Sequence, residues 1–313
     1  MPRILDGNRV RDEIKAELKP RVGALAERSR PPGLAVVLVG NNPASEIYVR
    51  NKVKACEDLG IRSESITPPG VITTQELLAL VCNLNARPEI DGILVQLPLP
   101  KQVDTKRILL AISPEKDVDG FHPCNVGNLV AGLPGPRACT PAGIIELLKR
   151  NQVPVAGRRA VVVGRSDIVG KPVAMLLLHE NATVTICHSK TPDLPAVTRE
   201  ADILVVAMGR PAFVDDTFVK QGAAVIDVGT NRVDSRDRIR EIFGEDAGRL
   251  ADFEKKGYTL AGDVHAGRVL PKCSYLSPVP GGVGPLTIAM LMANTVKAST
   301  LRRDLTRAAA ERH

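Results

Sequence analysis

The chain has 313 residues, enough for one large or two medium domains at roughly 100–200 residues each. Hydrophobic residues at 44% and charged ones at 25% exclude wholesale disorder, and aromatics at only 3% leave Val, Leu, Ile and Ala to build the core. The 42 Lys and Arg against 35 Asp and Glu give +7, which favours anionic partners.

Leu34–Gly40 is a short apolar run ending in Gly and reads as a buried strand, followed by helical spacing over Ala44–Gly60. A strand near Ser63–Thr67, a helix over Thr74–Ala86, a strand over Gly92–Leu97 and a short helix over Asp104–Ala111 continue the alternation. This pattern predicts a parallel sheet covered on both faces. Asp117–Pro141 is rich in Gly, Pro and Asn without a sustained period, and suits a linker. The alternation then restarts with a helix over Pro141–Arg150 and strands at Arg159–Gly164, Ala182–Cys187, Asp202–Ala207 and Ala223–Val228. Lys171–Glu180 is the clearest helix among these strands. The fold class is therefore α/β: two doubly wound domains, the second a Rossmann-type nucleotide-binding one. Gly284–Arg312 reads as one long helix that packs back on the first domain.

Basic residues are spread along the chain, with a modest cluster at Arg302, Arg303 and Arg307. Basic clusters interleaved with stacking aromatics are missing, so a small anionic ligand is expected and nucleic acid is not. The six cysteines (Cys56, Cys82, Cys124, Cys139, Cys187, Cys273) form no C-x-x-C pair, and no metal site is expected. The start carries no apolar signal region, and no uncharged apolar run approaches a membrane span, so a cytoplasmic, reduced protein without a membrane partner is expected.

The run from Val161 to Pro172 (VVVGRSDIVGKP) has strand, Gly-containing turn and helix start in the order that cradles a pyrophosphate on helix N–H groups. Arg165 and Ser166 replace the middle of the usual G-x-G-x-x-G, and a plain strand-to-helix turn is the alternative. The next strand ends Cys187-His188-Ser189-Lys190, without the carboxylate that accepts the ribose hydroxyls of NAD. Arg165, Ser189 and Lys190 suit a 2′-phosphate and favour NADP, although Lys190 reads equally well as a solvated charge.

Tyr48 and Lys52 are four apart on a predicted helix and share a face, with Arg50, Lys54 and Glu57 on other sides. A partly desolvated Lys beside an aromatic ring can serve as acid or base; an ordinary surface Lys is the commoner meaning of this spacing. Gln96 interrupts an apolar strand at its carboxyl end, where open α/β sheets place ligands, or else satisfies a nearby backbone group. Asp117 and Asp119 lie in the crossing segment, where one of them can cap a turn, and His122 reads as structural. The run Ser277–Pro285 (SPVPGGVGP) is irregular. It serves either close backbone approach to a flat ligand or a stiff hinge into the last helix.

Taken together, LVGNNPASEIYVRNKVKACEDLGI (38–61), DGILVQLPLP (91–100), KDVDGFHPCNVGNL (116–129), CTPAGIIELL (139–148), GRSDIVGKP (164–172) and SPVPGGVGPLT (277–287) resemble the bifunctional methylenetetrahydrofolate dehydrogenase/cyclohydrolase (FolD) family over nearly the whole chain. The resemblance implies a discontinuous folate-binding catalytic domain (1–140 plus 284–313), an NADP-binding domain (141–283), a cleft between them and a homodimer. It implies tetrahydrofolate derivatives as partners, leaving polyglutamylated forms open, and two activities: NADP-dependent oxidation of 5,10-methylenetetrahydrofolate and hydrolysis of the methenyl product to 10-formyltetrahydrofolate. Carried over by position, Lys52 becomes the proton shuttle of the hydrolysis. Tyr48, Gln96 and Asp119 position it and the pterin, and Val279, Pro280, Gly281, Gly282 and Val283 line the folate site. Gly164, Arg165, Ser166, Ser189 and Thr230 match the cofactor contacts. Three features depart from the family pattern. Asp234–Gly257 is longer and more charged than a short turn and reads as an added surface helix. His265 stands in place of a second acid, and Thr230 in place of an aliphatic residue.

Overall fold

A strand buried at every position needs cover on both faces, and the runs Gly33–Val37, Gly92–Val95, Ile203–Val206 and Ala224–Asp227 are all of this kind. In the computed structural model, which describes residues 2–310, they belong to two compact units. One comprises Asp12–Cys139 and the described residues from Ile288 on; the other comprises those up to Arg11 and Thr140–Thr287.

The first unit holds a three-stranded parallel sheet in the order Arg62–Ile66, Gly33–Val37, Gly92–Val95. Helices Pro43–Leu59, Thr74–Ala86 and Thr105–Ala111 connect or follow these strands. Thr73 and Glu76 form a reciprocal capping box at the start of the second of these helices, and Asp104 caps the third. Leu77, Val81 and Leu84 then face Ala35, Val37, Ile93 and Ile108 in a continuous core. The supposed linker contains a helix, Pro123–Val130, whose N-cap is His122: its Nδ1 accepts from the Cys124 N–H at 3.1 Å.

A long helix, Gly7–Arg28, was absent from the expected elements. Its buried stripe Val10, Ile14, Leu18, Val22 has helical spacing, diluted by charged neighbours and by Pro20 inside the helix.

The terminal helix is continuous over Gly284–Ala310. The expected end at Arg312 and the side chain of Arg307 lie outside the described residues. From Ile288 on it belongs to the first unit, and here Arg302 and Arg303 differ from their reading as part of a modest basic cluster open to anionic partners. Asp91, 1% exposed, accepts from Arg30 through both oxygens (2.7 and 2.9 Å), from the Gly33 N–H at 2.9 Å and from Arg302 at 3.2 Å. Arg303 lies 3.7 Å from the same carboxylate and donates to the carbonyls of Leu25 and Pro31. Their charge is spent inside the fold.

The second unit holds a six-stranded sheet in the order Arg3–Ile4, Tyr275–Leu276, Ala224–Asp227, Ile203–Val206, Arg159–Val163, Thr183–Cys187, all parallel. Its core is Val161, Val163, Leu204, Val206 and Val225 with Cys187 and Cys273 as small apolar members. The first residues differ from the expected boundary at 140. The Arg3 N–H donates to Ser274 O and the Leu5 N–H to Leu276 O (2.8 and 2.9 Å), which adds them to this sheet. Two residues are too few for any periodic signal.

The charged stretch 234–257 is a pair of helices, Arg236–Phe243 and Ala247–Lys256, where a single one was expected. Gly244 at φ +65° separates them. Ile239 and Ile242 pack with Val233 and Ala261 of an antiparallel pair of strands, Asn231–Val233 and Thr259–Ala261.

Asp91→Asn leaves three guanidinium groups facing a neutral amide. Because Arg30 and its companions are 20–30% solvent-accessible, we expect a loss of about 2 kcal/mol, below the usual range for a fully buried pair. Urea unfolding followed by circular dichroism checks it, and an unchanged midpoint contradicts it.

Candidate active site

Lys52 is carried by Pro43–Leu59, the helix that follows the central strand of the first unit, and Gln96 stands just past the carboxyl end of Gly92–Val95. The helix turns Lys52 inward, so that it is only 8% exposed, while Arg50, Lys54 and Glu57 stay in solvent. Its Nζ donates to Gln96 Oε1 at 2.9 Å, and Gln96 Nε2 donates to Leu97 O at 2.7 Å. The backbone meaning of Gln96 is therefore present in its bond to Leu97 O, and the other end of the same amide meets the ammonium. Tyr48, one turn earlier, is 50% exposed and leaves its ring free for a ligand face.

Asp117 and Asp119 divide the two tasks open to them. Asp117 is buried and accepts from the N–H groups of Gly120 and His122 and from Asn125 Nδ2, so it is the turn anchor. Asp119 is half-buried, and desolvation pushes its pKa up to about 6 against the opposing pull of the Lys52 charge, with Asp117 adding to the rise. Lys116, missed in the sequence, is 1% exposed and donates to the carbonyls of Leu84, Asn85 and Arg87 at the end of Thr74–Ala86. Burial lowers its pKa to about 8, helped by the charge of Arg302. From the other side, Asn294 of the terminal helix donates to Val118 O and Arg137 O, both at 2.8 Å. The backbone leading into Asp119 is thus anchored at Lys116 and at Val118.

In the second unit, Gly164 follows the strand Arg159–Val163, which has the next strand in sequence, Thr183–Cys187, on one side and the later strand Ile203–Val206 on the other. Gly164 has φ +129°, and a Cβ there would lie 2.2 Å from Ala207 O; one on Gly170 would lie 2.2 Å from Gly164 O. No larger residue fits either position. Ser166 Oγ accepts from the N–H groups of Val169 and Gly170 at the start of Gly170–His179. Arg165, Ser166 and Ser189 are exposed around this turn, and the Gly164 N–H to Cys187 O bond (2.9 Å) brings the end of the Ser189 strand beside it. Thr230 is exposed beyond Ala224–Asp227. Arg165, Ser166 and Ser189 thus place exposed polar groups around a tight turn at the start of a helix.

Sequence reading missed the two acids that hold the neighbouring loops. Asp263, fully buried, accepts from the N–H groups of Met208, Gly209 and Arg210 and from Asn231 Nδ2. Asp227 accepts from the N–H groups of Gly229, Asp263 and Val264, and burial raises its pKa to about 7 in spite of these bonds. In the same unit the loop Val279–Val283 is tied by Ser277, which accepts from the Asp227 N–H at 2.8 Å, and by the Gly7 N–H to Gly281 O bond at 2.8 Å.

A parallel sheet with a glycine turn at its switch point defines the second unit as a dinucleotide-binding α/β module. Residues 138–303 match the family model for the tetrahydrofolate dehydrogenase/cyclohydrolase NAD(P)-binding domain, and residues 5–119 match that for the tetrahydrofolate dehydrogenase/cyclohydrolase catalytic domain. The chain belongs to the tetrahydrofolate dehydrogenase/cyclohydrolase family. It is 72% identical to the bifunctional protein FolD of Solibacter usitatus over 97% of this chain and 99% of that one. The crystal structure of the bifunctional FolD enzyme of Campylobacter jejuni is 44% identical with a TM-score of 0.87, covering 96% of this chain and 100% of its own. The Trypanosoma brucei methylenetetrahydrofolate dehydrogenase-cyclohydrolase, solved with NADP cofactor and inhibitor, is 39% identical with a TM-score of 0.86, covering 96% and 98%. Among the described residues no helix is long and apolar enough to cross a membrane.

The pKa of Asp119 has a consequence for stability. Its folded value, about 6, lies above the roughly 4 of an unfolded chain. Between those values the native state holds a proton that the unfolded state has lost, so wild-type stability falls as pH rises through this window. Asp119→Asn removes this dependence and gains about 2 kcal/mol relative to wild type between pH 4 and 6, with no further divergence above. Urea midpoints across that range check the prediction, and a constant difference contradicts it.

Proposed function

We propose that this chain oxidises 5,10-methylenetetrahydrofolate to the 5,10-methenyl form with NADP and then hydrolyses it to 10-formyltetrahydrofolate. The observation that carries the second activity is Lys52: a buried ammonium held at 2.9 Å by Gln96, on the same unit as a carboxyl whose pKa it moves. The folate-binding catalytic domain is 1–140 plus 284–313, less its first strand, and the NADP-binding domain is centred on 141–283.

The dinucleotide, when bound, accepts a hydride from the methylene carbon, a step that needs alignment and no proton transfer. Gly164, Arg165, Ser166, Ser189 and Thr230 hold it, with Arg165 and Ser189 on the 2′-phosphate. Hydrolysis does need proton traffic, because water adds to the amidinium carbon and the tetrahedral adduct must open. Lys52 moves that proton, and Gln96 sets the direction of its Nζ. Tyr48 offers its ring to the pterin, and Asp119 accepts from the pterin's adjacent N–H and amino donors, a two-point match for a carboxylate. Val279, Pro280, Gly281, Gly282 and Val283 line the folate. The working form is a cytoplasmic homodimer whose partners are tetrahydrofolate derivatives.

Purified protein mixed with 5,10-methylenetetrahydrofolate and either NADP or NAD tests this reading, with reduced cofactor and methenyl absorbance followed together. We expect reduced cofactor mainly from NADP, without methenyl build-up. Methenyl accumulation limited only by spontaneous hydrolysis indicates a monofunctional dehydrogenase, and equal use of NAD removes the phosphate role of Arg165 and Ser189.

A further inference from the structure

The two-helix stretch 234–257 has no part in the chemistry described so far, yet one of its side chains leaves the stretch altogether. Arg249 is half-buried, and its guanidinium lies 4.5 Å from the centroid of the Phe243 ring on the partner helix. One end of the fork donates to Leu260 O at 2.7 Å and the other to Val279 O at 2.5 Å. The helix carrying it is fixed by Asp246, whose carboxylate accepts the Arg249 N–H at 3.0 Å. Leu260 belongs to the strand that runs into Asp263, the acid holding Met208–Arg210. Val279 is the first residue of the loop assigned above to the folate.

That loop has few bonds of its own. Gly282 N–H donates to Pro278 O at 2.8 Å, closing a tight turn. The start of the Gly7 helix holds one side so closely that a Cβ on Gly7 would lie 1.7 Å from Gly282 O. Arg249 holds the other end. A charged donor to a backbone carbonyl is stronger than a neutral one, and ring stacking pre-orders the guanidinium.

We propose that the 234–257 helix pair is a clamp for the folate loop, and that Arg249 is a positioning residue that sets tetrahydrofolate affinity without touching the reacting atoms. The inference rests on the assignment of Val279–Val283 to the folate. Its prediction is a split in the kinetics. Loosening the loop weakens folate binding, while the hydride and proton steps and the Gly164 turn are unaffected.

The test is steady-state kinetics of the full chain carrying Arg249→Ala, Arg249→Lys, Phe243→Leu or Pro280→Ala. With Arg249→Ala we expect KM for 5,10-methylenetetrahydrofolate to rise about tenfold, the size expected for losing a charged hydrogen bond. kcat and the KM for NADP remain within about twofold. Arg249→Lys, which reaches one carbonyl, restores part of the loss, and millimolar guanidinium added to Arg249→Ala does the same. Phe243→Leu keeps the apolar packing and weakens only the stack, so a smaller rise in folate KM supports the clamp even where Arg249→Ala fails to fold. Unchanged folate KM in Arg249→Ala, with a raised value in Pro280→Ala, overturns the clamp and keeps the loop in the folate site. No change in either variant removes the loop assignment and the clamp with it. A fall in kcat together with a rise in the KM for both the folate and NADP makes Arg249 merely structural and overturns the proposal. Wild-type protein that does not turn over the folate sinks the functional reading itself.

Discussion

An ammonium taken out of water must be met by an oxygen, and in the first unit that requirement is met where Lys52 reaches Gln96. Everything around the pair follows from keeping both ends in place. The buried strand Gly33–Val37 sets where Pro43–Leu59 begins, the parallel strand Gly92–Val95 sets where Gln96 ends up, and their register is fixed from Leu34↔Gly92 to Val37↔Val95. A shift of one residue would turn Gln96 to the other face and leave the charge unmet. The clamps on Lys116 and Val118 hold the third member, Asp119, against the same local field. Rigid backbone thus creates the electrostatic setting in which a lysine can handle a proton.

The second unit uses acids for the corresponding task. Asp263 and Asp227 are buried carboxylates whose ligands are backbone N–H groups of loops at strand ends, and each loop so held stays in one conformation. Small residues then let the chain approach itself at Gly164 and Gly170. The sheet supplies the platform, the acids fix the loops, and the glycines let the turn pack tightly against its neighbours. The cores of both units are built from Val-, Leu- and Ile-rich strands and helices.

Most of the strands and the Lys52 helix were legible because long apolar runs and strong periods depend on neighbours in sequence. The Gly164 turn and the Tyr48/Lys52 spacing were readable for the same reason. What stayed hidden depends on partners distant in sequence. Arg3–Ile4 is a strand only because Tyr275–Leu276 lies beside it, and Asp263 matters only through Met208–Arg210. Arg302 looked like part of an anion-attracting cluster until its partner, Asp91, some two hundred residues away, was in view. The Gly7–Arg28 helix had a readable stripe that Pro20 and its charged neighbours masked.

The central claim is that the buried Lys52 serves hydrolysis and leaves hydride transfer to alignment alone. Single-turnover mixing of Lys52→Met with 5,10-methylenetetrahydrofolate and NADP tests it most directly, with NADPH and methenyl absorbance recorded on the same sample. The account predicts that NADPH still forms while the methenyl signal builds up and decays only at its spontaneous rate. Equal loss of both signals, or methenyl removal at the wild-type rate, contradicts it.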